Sequence, residues 1–142
     1  MIRRVLIICT GNSCRSQMAQ GLVNHDLKDS WVADSAGIVA SGVNPRSIQV
    51  MAELGIDISH HTSKTIDTVI DRPFDLVITV CDYAKEVCPV FPKAMKMHHM
   101  PFPDPVWATD LPDEKALFEF RQVRNKIRRA LISFIKDFPV KS

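Results

Sequence analysis

The residues best suited to chemistry in this chain lie together in Cys9-Thr10-Gly11-Asn12-Ser13-Cys14-Arg15-Ser16. An apolar run, Val5-Leu6-Ile7-Ile8, ends on Cys9, and a helical pattern opens at Ser16. A loop that joins a strand to a helix N-terminus turns backbone N–H groups toward one point and favours a bound oxyanion. Thr10, Gly11, Asn12, Ser13 and Cys14 supply that loop, and Arg15 can grip two oxygens of the anion at once. The same positive field favours a sulfur anion at Cys9, so nucleophile and substrate share one cradle. Asn12 tolerates the left-handed backbone of a tight loop, and Gly11 removes a side chain where backbone must approach the ligand. Ser16 can donate to the sulfur and steady it as a leaving group. A bare C-x5-R spacing is common, with the cysteine in a core and the arginine on a surface. The strand before it, Gly-Asn within it and the helix behind it favour the catalytic reading.

Two further groups belong to the same chemistry. Cys81 and Cys88 stand seven residues apart, between Asp82, a helix-starting residue, and Pro89, a helix-stopping one. On a helix they would share a face but be separated by ~10 Å of rise, whereas a disulfide needs Cα atoms within ~7 Å. Bridging them would require the segment to unwind, which makes the pair a candidate redox switch. Two cysteines packed against a sheet, or a metal site completed by His98 and His99, are the competing readings; zinc sites usually show tighter paired spacing. Cys14 reads as filler beneath the anion loop. Asp104, in Pro101-Phe102-Pro103-Asp104-Pro105, is held extended by the proline after it. Such a carboxyl can protonate a departing oxygen; beside proline it is also an ordinary turn residue.

The elements that carry these groups alternate. Arg4–Cys9, Trp31–Ala36, Leu76–Val80 and Lys96–Met100 read as strands, the first buried on both faces. Ser16–Leu27 reads as a helix, a second starts at Asn44-Pro45 and stops at Gly55, and Thr65–Ile70 reads as a short one. The last helix repeats Leu117, Phe120, Val123, Ile127, Leu131, Phe134 and Phe138 at three and four, leaving Arg121, Arg124, Arg128 and Lys136 as a solvated face. The expected fold class is therefore α/β, a single domain over residues 1–142 with a four-stranded parallel sheet and helices on both faces. Right-handed crossovers bring the carboxyl ends of the strands to one edge, and with them Cys9 and Cys81.

The composition agrees. The chain has 142 residues, 46% of them hydrophobic, and a net charge of +2. That suffices for one core and gives no reason to expect nucleic acid or a membrane surface as a partner. The apolar run after Met1-Ile2-Arg3-Arg4 is too short for an export signal, and no stretch is long enough to span a bilayer. Four cysteines without an export signal point to the cytoplasm, where paired cysteines tend to be catalytic or metal-binding.

Taken together, these residues resemble the thioredoxin-coupled arsenate reductases, which share the fold of the low-molecular-weight protein tyrosine phosphatases. The resemblance runs along nearly the whole chain: Cys9 to Ala19, Asp34-Ser35-Ala36-Gly37, Val43-Asn44-Pro45, Gly55 to Ser59, His61-Thr62-Ser63, Cys81, Cys88-Pro89, Asp104-Pro105 and Phe120 to Arg124. The Cys81/Cys88 pair is what points to the reductase branch. The resemblance implies that Cys9 attacks arsenate held by Arg15 and the loop amides, and that Asp104 helps a hydroxide leave. Cys81 then releases arsenite by forming Cys9–Cys81, and Cys88 moves the disulfide to Cys81–Cys88 for thioredoxin to reduce. It implies no bound organic cofactor, no catalytic metal, phosphate or sulfate as competing anions, and a monomer. Some relatives hold potassium beside the loop with Asn12, Ser35 and acids at the positions of Gln20 and Lys64. Both acids are missing here, so no potassium dependence is expected, with Lys64 steadying the loop carbonyls instead. Two other readings stay open: a phosphatase acting on phosphoesters, since phosphate and arsenate are near-isosteric, and a non-catalytic oxyanion sensor.

Overall fold

Strand β1 (Arg3–Cys9) is apolar from Val5 onward and buried from Val5 to Cys9. Successive side chains point to opposite faces, so both faces of this strand are covered, as in parallel sheets. The fold is that of a computed structural model, which describes residues 2–80 and 96–139. Expectations for Cys81, Cys88 and a helix between Asp82 and Pro89 lie outside those residues.

Strand β2 (Trp31–Gly37) pairs with β1 in register Arg3↔Trp31 to Cys9↔Gly37. On its other side β1 pairs with β3 (Leu76–Thr79), from Val5↔Leu76 to Ile8↔Thr79. β4 (Met97–His99) joins β3 through Val77↔Met97 to Thr79↔His99. All pairings are parallel, in the order β2-β1-β3-β4. The registers bring Cys9, Gly37, Thr79 and His99 to one edge, the edge at which the sequence places the nucleophile.

Helix α1 (Arg15–Asp26) starts directly behind the Cys9 loop, and α2 (Pro45–Ala52) starts on Asn44, whose Oδ1 accepts the Arg46 N–H at 2.9 Å. That is an ordinary N-cap followed by proline at the first helical position. Thr65–Ile70 forms only a single 3₁₀ turn, Ile66–Thr68. Its threonines and the β-branched Ile66 and Val69 favour neither length nor α geometry. Helix α3 (Asp113–Ile127) continues through a wider π turn, Arg128–Ile132, into a last α turn, Ser133–Lys136. Ile127, Leu131 and Ile135 are buried at steps of four. Each such step overshoots a full α turn by about 40°. The wider turn brings all three back to the core.

One basic residue of α3 departs from the expected solvated face. Arg124 is buried, and its Nη1 donates to Val50 O and to Glu53 Oε1, each at 2.8 Å. Arg121 grips both oxygens of Glu53, and Arg128 both oxygens of Asp26. α3 packs against both α1 and α2. Arginines at its margins therefore meet carboxylates on those neighbours, a partnership that periodicity along α3 cannot reveal. No described helix is long and apolar enough to cross a membrane.

Candidate active site

The loop between β1 and α1 is shaped by where its carbonyl groups go. Thr10 O accepts from Val39 N at 3.0 Å, Gly11 O from Ser41 N at 2.9 Å and Ser13 O from Asn44 N at 3.1 Å. Asn12 O accepts from Ser63 Oγ at 2.9 Å and from Gln17 Nε2 at 3.1 Å. Four consecutive carbonyls thus point outward onto the surrounding chain. In a trans peptide the following N–H points the opposite way. The N–H groups of Gly11, Asn12, Ser13 and Cys14 accordingly face the inner side of the loop, a nest for an anion. Asn12 holds the turn with φ at 49°, the left-handed value expected of it.

Inside the loop is a cavity of about 190 Å³ lined by Cys9, Thr10, Gly11, Ser13, Cys14, Arg15, Val39, Ser41, Asp104 and Val106. Cys9, at 2% exposure, forms its floor, and its Sγ lies 2.8 Å from Ser16 Oγ. Either atom of that contact can be the donor while Cys9 is a thiol; a thiolate can only accept. Asn12 Nδ2 donates to Ser16 Oγ at 2.8 Å, which leaves the Ser16 hydrogen free to go to a thiolate at Cys9. Asn12 Nδ2 also donates to Ser35 Oγ at 2.9 Å, while Asn12 Oδ1 accepts the Lys64 N–H at 2.9 Å. Ser35 in turn donates to Gln20 Oε1 at 2.5 Å.

Arg15 lies along the wall, largely buried. Its Nη2 reaches Asp104 Oδ2 at 3.1 Å, and its Nη1 donates to Phe102 O at 3.3 Å. Its buried Nε has no hydrogen-bond partner among the described residues. A guanidinium N–H left over at the edge of an anion nest is a donor available to a ligand. Asp104 serves both as a turn residue and as a pocket acid. Its Oδ1 accepts the Val106 N–H at 3.0 Å, and its Oδ2 faces Arg15 in the cavity. Its backbone is extended, with φ −87° and ψ 117°, as the following proline requires. Cys14 is buried beside Cys9, and burial together with the charge of Asp104 pushes its thiol up to about 12. It is buried and also lines the cavity.

Cys9, Arg15, Ser16, Asp104 and the loop residues Thr10 to Cys14 are therefore brought into one site. One expectation changes. Lys64 Nζ does not serve the loop carbonyls: it pairs with Asp34 Oδ1 at 2.6 Å, and Arg72 Nη1 takes the other oxygen at 2.7 Å. Burial would raise the Asp34 carboxyl, but the hydrogen bonds and charge of these two partners outweigh it and hold it below the ordinary value. Ser63 and Gln17 take the Gly11 and Asn12 carbonyls instead. Gly11 lines the cavity and also makes room for a neighbouring loop, since a Cβ there would stand 2.9 Å from Ser41 Oγ.

Several contributors were not assigned roles from sequence. Gln17 is fully buried on the first turn of α1, and its Oε1 accepts from His61 Nδ1 at 3.0 Å. A polar pair, Ser16-Gln17, directly ahead of apolar Met18-Ala19 was the available signal. Gly37 backs the loop: a Cβ there would lie 2.6 Å from Val39 O, 2.7 Å from Asn12 N and 2.8 Å from Thr10 O. His98 stacks on Phe134 at 4.2 Å, and His99 Nδ1 bonds with Thr79 Oγ1 at 2.7 Å. The described residues contain no cluster of three or more His, Cys, Asp or Glu able to hold a metal ion.

This arrangement has counterparts among known proteins. Residues 4–141 match the family model of the low molecular weight phosphotyrosine protein phosphatases. Arsenate reductase 2 of Staphylococcus epidermidis is 46% identical over 132 residues, covering 93% of this chain and 95% of that protein. The solved structure of an arsenate reductase in its phosphate-binding state superposes with a TM-score of 0.81 at 30% identity, over 97% of this chain and all of that one. A thioredoxin-dependent arsenate reductase from Corynebacterium glutamicum superposes with a TM-score of 0.66 at 28% identity, over 95% of this chain and 63% of that one.

Proposed function

The chain belongs to the low molecular weight phosphotyrosine protein phosphatase family, and we propose that within it this protein is an arsenate reductase whose electrons come from thioredoxin. One observation carries the reading: Cys9 Sγ, 2.8 Å from the hydroxyl oxygen of Ser16, forms the floor of an anion nest walled by Arg15. Relatives named arsenate reductases that align along nearly the whole chain support it.

Arsenate enters with its oxygens on the loop N–H groups and on the Arg15 fork, where they compete with Asp104 for the guanidinium. The Cys9 thiolate attacks arsenic, and Asp104 relays a proton to the departing hydroxide, which leaves as water. The Cys81 thiolate then attacks the Cys9 sulfur. The sulfur–arsenic bond breaks, its electron pair stays on arsenic, and arsenite leaves as Cys9–Cys81 forms. The Cys88 thiolate displaces Cys9 from Cys81, giving Cys81–Cys88, which thioredoxin reduces by thiol–disulfide exchange. Two thiols supply the two electrons, and no organic cofactor takes part. Phosphate and sulfate compete for the same nest. The reading places the protein in a reducing compartment such as the cytoplasm, acting as a single-domain monomer.

The test is arsenite release in a mixture of arsenate, thioredoxin, thioredoxin reductase and NADPH. Steady release is expected, and Cys88→Ser stops after one turnover with Cys9–Cys81 trapped. Phosphate release from an aryl phosphate with no arsenite formed would make the protein a hydrolase. Arsenate binding without turnover would make it a sensor.

A further inference from the structure

We infer that Gln20 is a positioning residue that fixes the direction of the hydrogen-bond chain ending on Cys9, an inference that rests on Cys9 being the nucleophile. Four hydrogen bonds link Gln20 to the sulfur, by way of Ser35, Asn12 and Ser16. Each hydroxyl has one hydrogen to give and the Asn12 amide has two. In the observed order Asn12 gives both, one to Ser16 and one to Ser35. Ser16 is then free to donate to Cys9 Sγ, and the hydrogen of Ser35 goes to Gln20 Oε1.

The opposite order has the same connectivity. With the Asn12 amide turned over, its oxygen would accept from both Ser16 and Ser35, and the hydrogen of Ser16 would leave the sulfur. Two groups oppose that order. The Lys64 backbone N–H occupies Asn12 Oδ1 at 2.9 Å and would face an amide NH₂ after a flip. Gln20 Oε1 draws the Ser35 hydrogen outward, leaving the Ser35 oxygen only as an acceptor. Asn12, Ser16 and Ser35 are each fully buried, so water cannot supply the missing partner if one end of the chain is removed. Gln20 therefore acts on the sulfur without touching substrate, and its contribution is an acceptor rather than a charge.

The variants that separate these ideas are Gln20→Met, close in length but without the acceptor, and Gln20→Glu, which restores an acceptor at the same reach. The readout is the rate of Cys9 alkylation by iodoacetamide in the whole protein, followed by mass spectrometry of the Cys9 peptide from mildly acidic to strongly alkaline pH. Gln20→Met is expected to slow alkylation about threefold to tenfold near neutral pH, up to about one lost bond to a charged group. Its rate should converge with that of the parent at strongly alkaline pH. Gln20→Glu is expected to restore the neutral-pH rate. A Gln20→Met protein that alkylates like the parent throughout overturns the inference. So does one that is slowed equally at all pH values, which is the mark of a loosened pocket, and so does a failed rescue by Gln20→Glu. The assay contains no arsenate, so these results stand apart from the turnover test of the proposed function. A parent Cys9 that resists alkylation at every pH would overturn Cys9 as nucleophile, and the inference with it.

Discussion

At the scale of single residues, two cysteines five positions apart are given opposite characters. Cys9 lines the cavity within hydrogen-bond reach of the Ser16 hydroxyl, while Cys14 is buried beside it with its thiol pushed up to about 12. Alkylation of the folded protein at pH ~8 is therefore expected to mark Cys9 and spare Cys14, the thiolate being the reactive form. Peptide mapping that finds equal labelling of both would contradict this assignment. Ser16→Ala removes the donor to the sulfur and also strands one hydrogen of Asn12. Cys9 alkylation near neutral pH should fall about tenfold, the lower end for a hydrogen bond to a charged group. An unchanged rate would show that Ser16 does not aim its hydroxyl at the sulfur.

At the scale of elements, the site is a junction where β1, β2 and α1 converge on one loop. β2 approaches so closely that Gly37 has backbone atoms of Val39, Asn12 and Thr10 where a side chain would begin, at 2.6, 2.7 and 2.8 Å. Flexible side chains could swing aside; backbone held by the Val39–Thr10 and Ser41–Gly11 hydrogen bonds cannot do so cheaply. Gly37→Ala should cost about 1–3 kcal/mol of stability, the usual range for overpacking. It should also raise the KM for arsenate, because the displaced atoms belong to the nest. Urea unfolding together with steady-state kinetics checks both parts, and a variant with parental stability and KM would show that the loop yields. The first turn of α1 is polar and buried, with Arg15, Ser16 and Gln17 all inside. A helix that begins inside a binding site gives up its usual amphipathic start to serve that site.

At the scale of the whole molecule, charged groups tie distant segments together and set the acid limit of the fold. Hydrogen bonds from Arg121 hold Glu53 below its ordinary value; for Asp26, burial acts upward but is outweighed by Arg128 and His25. These carboxylates stabilise the fold above their ordinary values of 4.5 and 3.8, and that contribution is lost as pH falls through their lowered folded values. His61 acts at higher pH. Its burial, and then the charges of His60 and Lys64, push its imidazole from 6.5 down to about 4. The folded protein holds it neutral where the unfolded chain takes up a proton, so stability falls as pH drops from 6.5 to about 4. Urea unfolding at a series of pH values should show that decline in the parent. His61→Asn should flatten it while leaving the steeper carboxylate loss at lower pH. A parent curve already flat between 6.5 and 4 would refute the assignment.

The apolar run into Cys9, the Gly-Asn loop and the helix behind it form one contiguous stretch, so sequence alone determined where that loop lies and the parallel α/β frame around it. Strand and helix periods are local properties, and they were legible to within a residue or two. What only tertiary structure decided is which distant partner each polar group meets. Lys64 meets Asp34 and not the loop, Ser63 and Gln17 meet the loop carbonyls, and Arg124 turns inward to Glu53. Asp104, 89 positions from Arg15, reaches it only because the chain closes over the sheet edge. A side chain that can reach several acceptors is settled by burial and competition among all of them, and those are properties of the closed fold rather than of any segment.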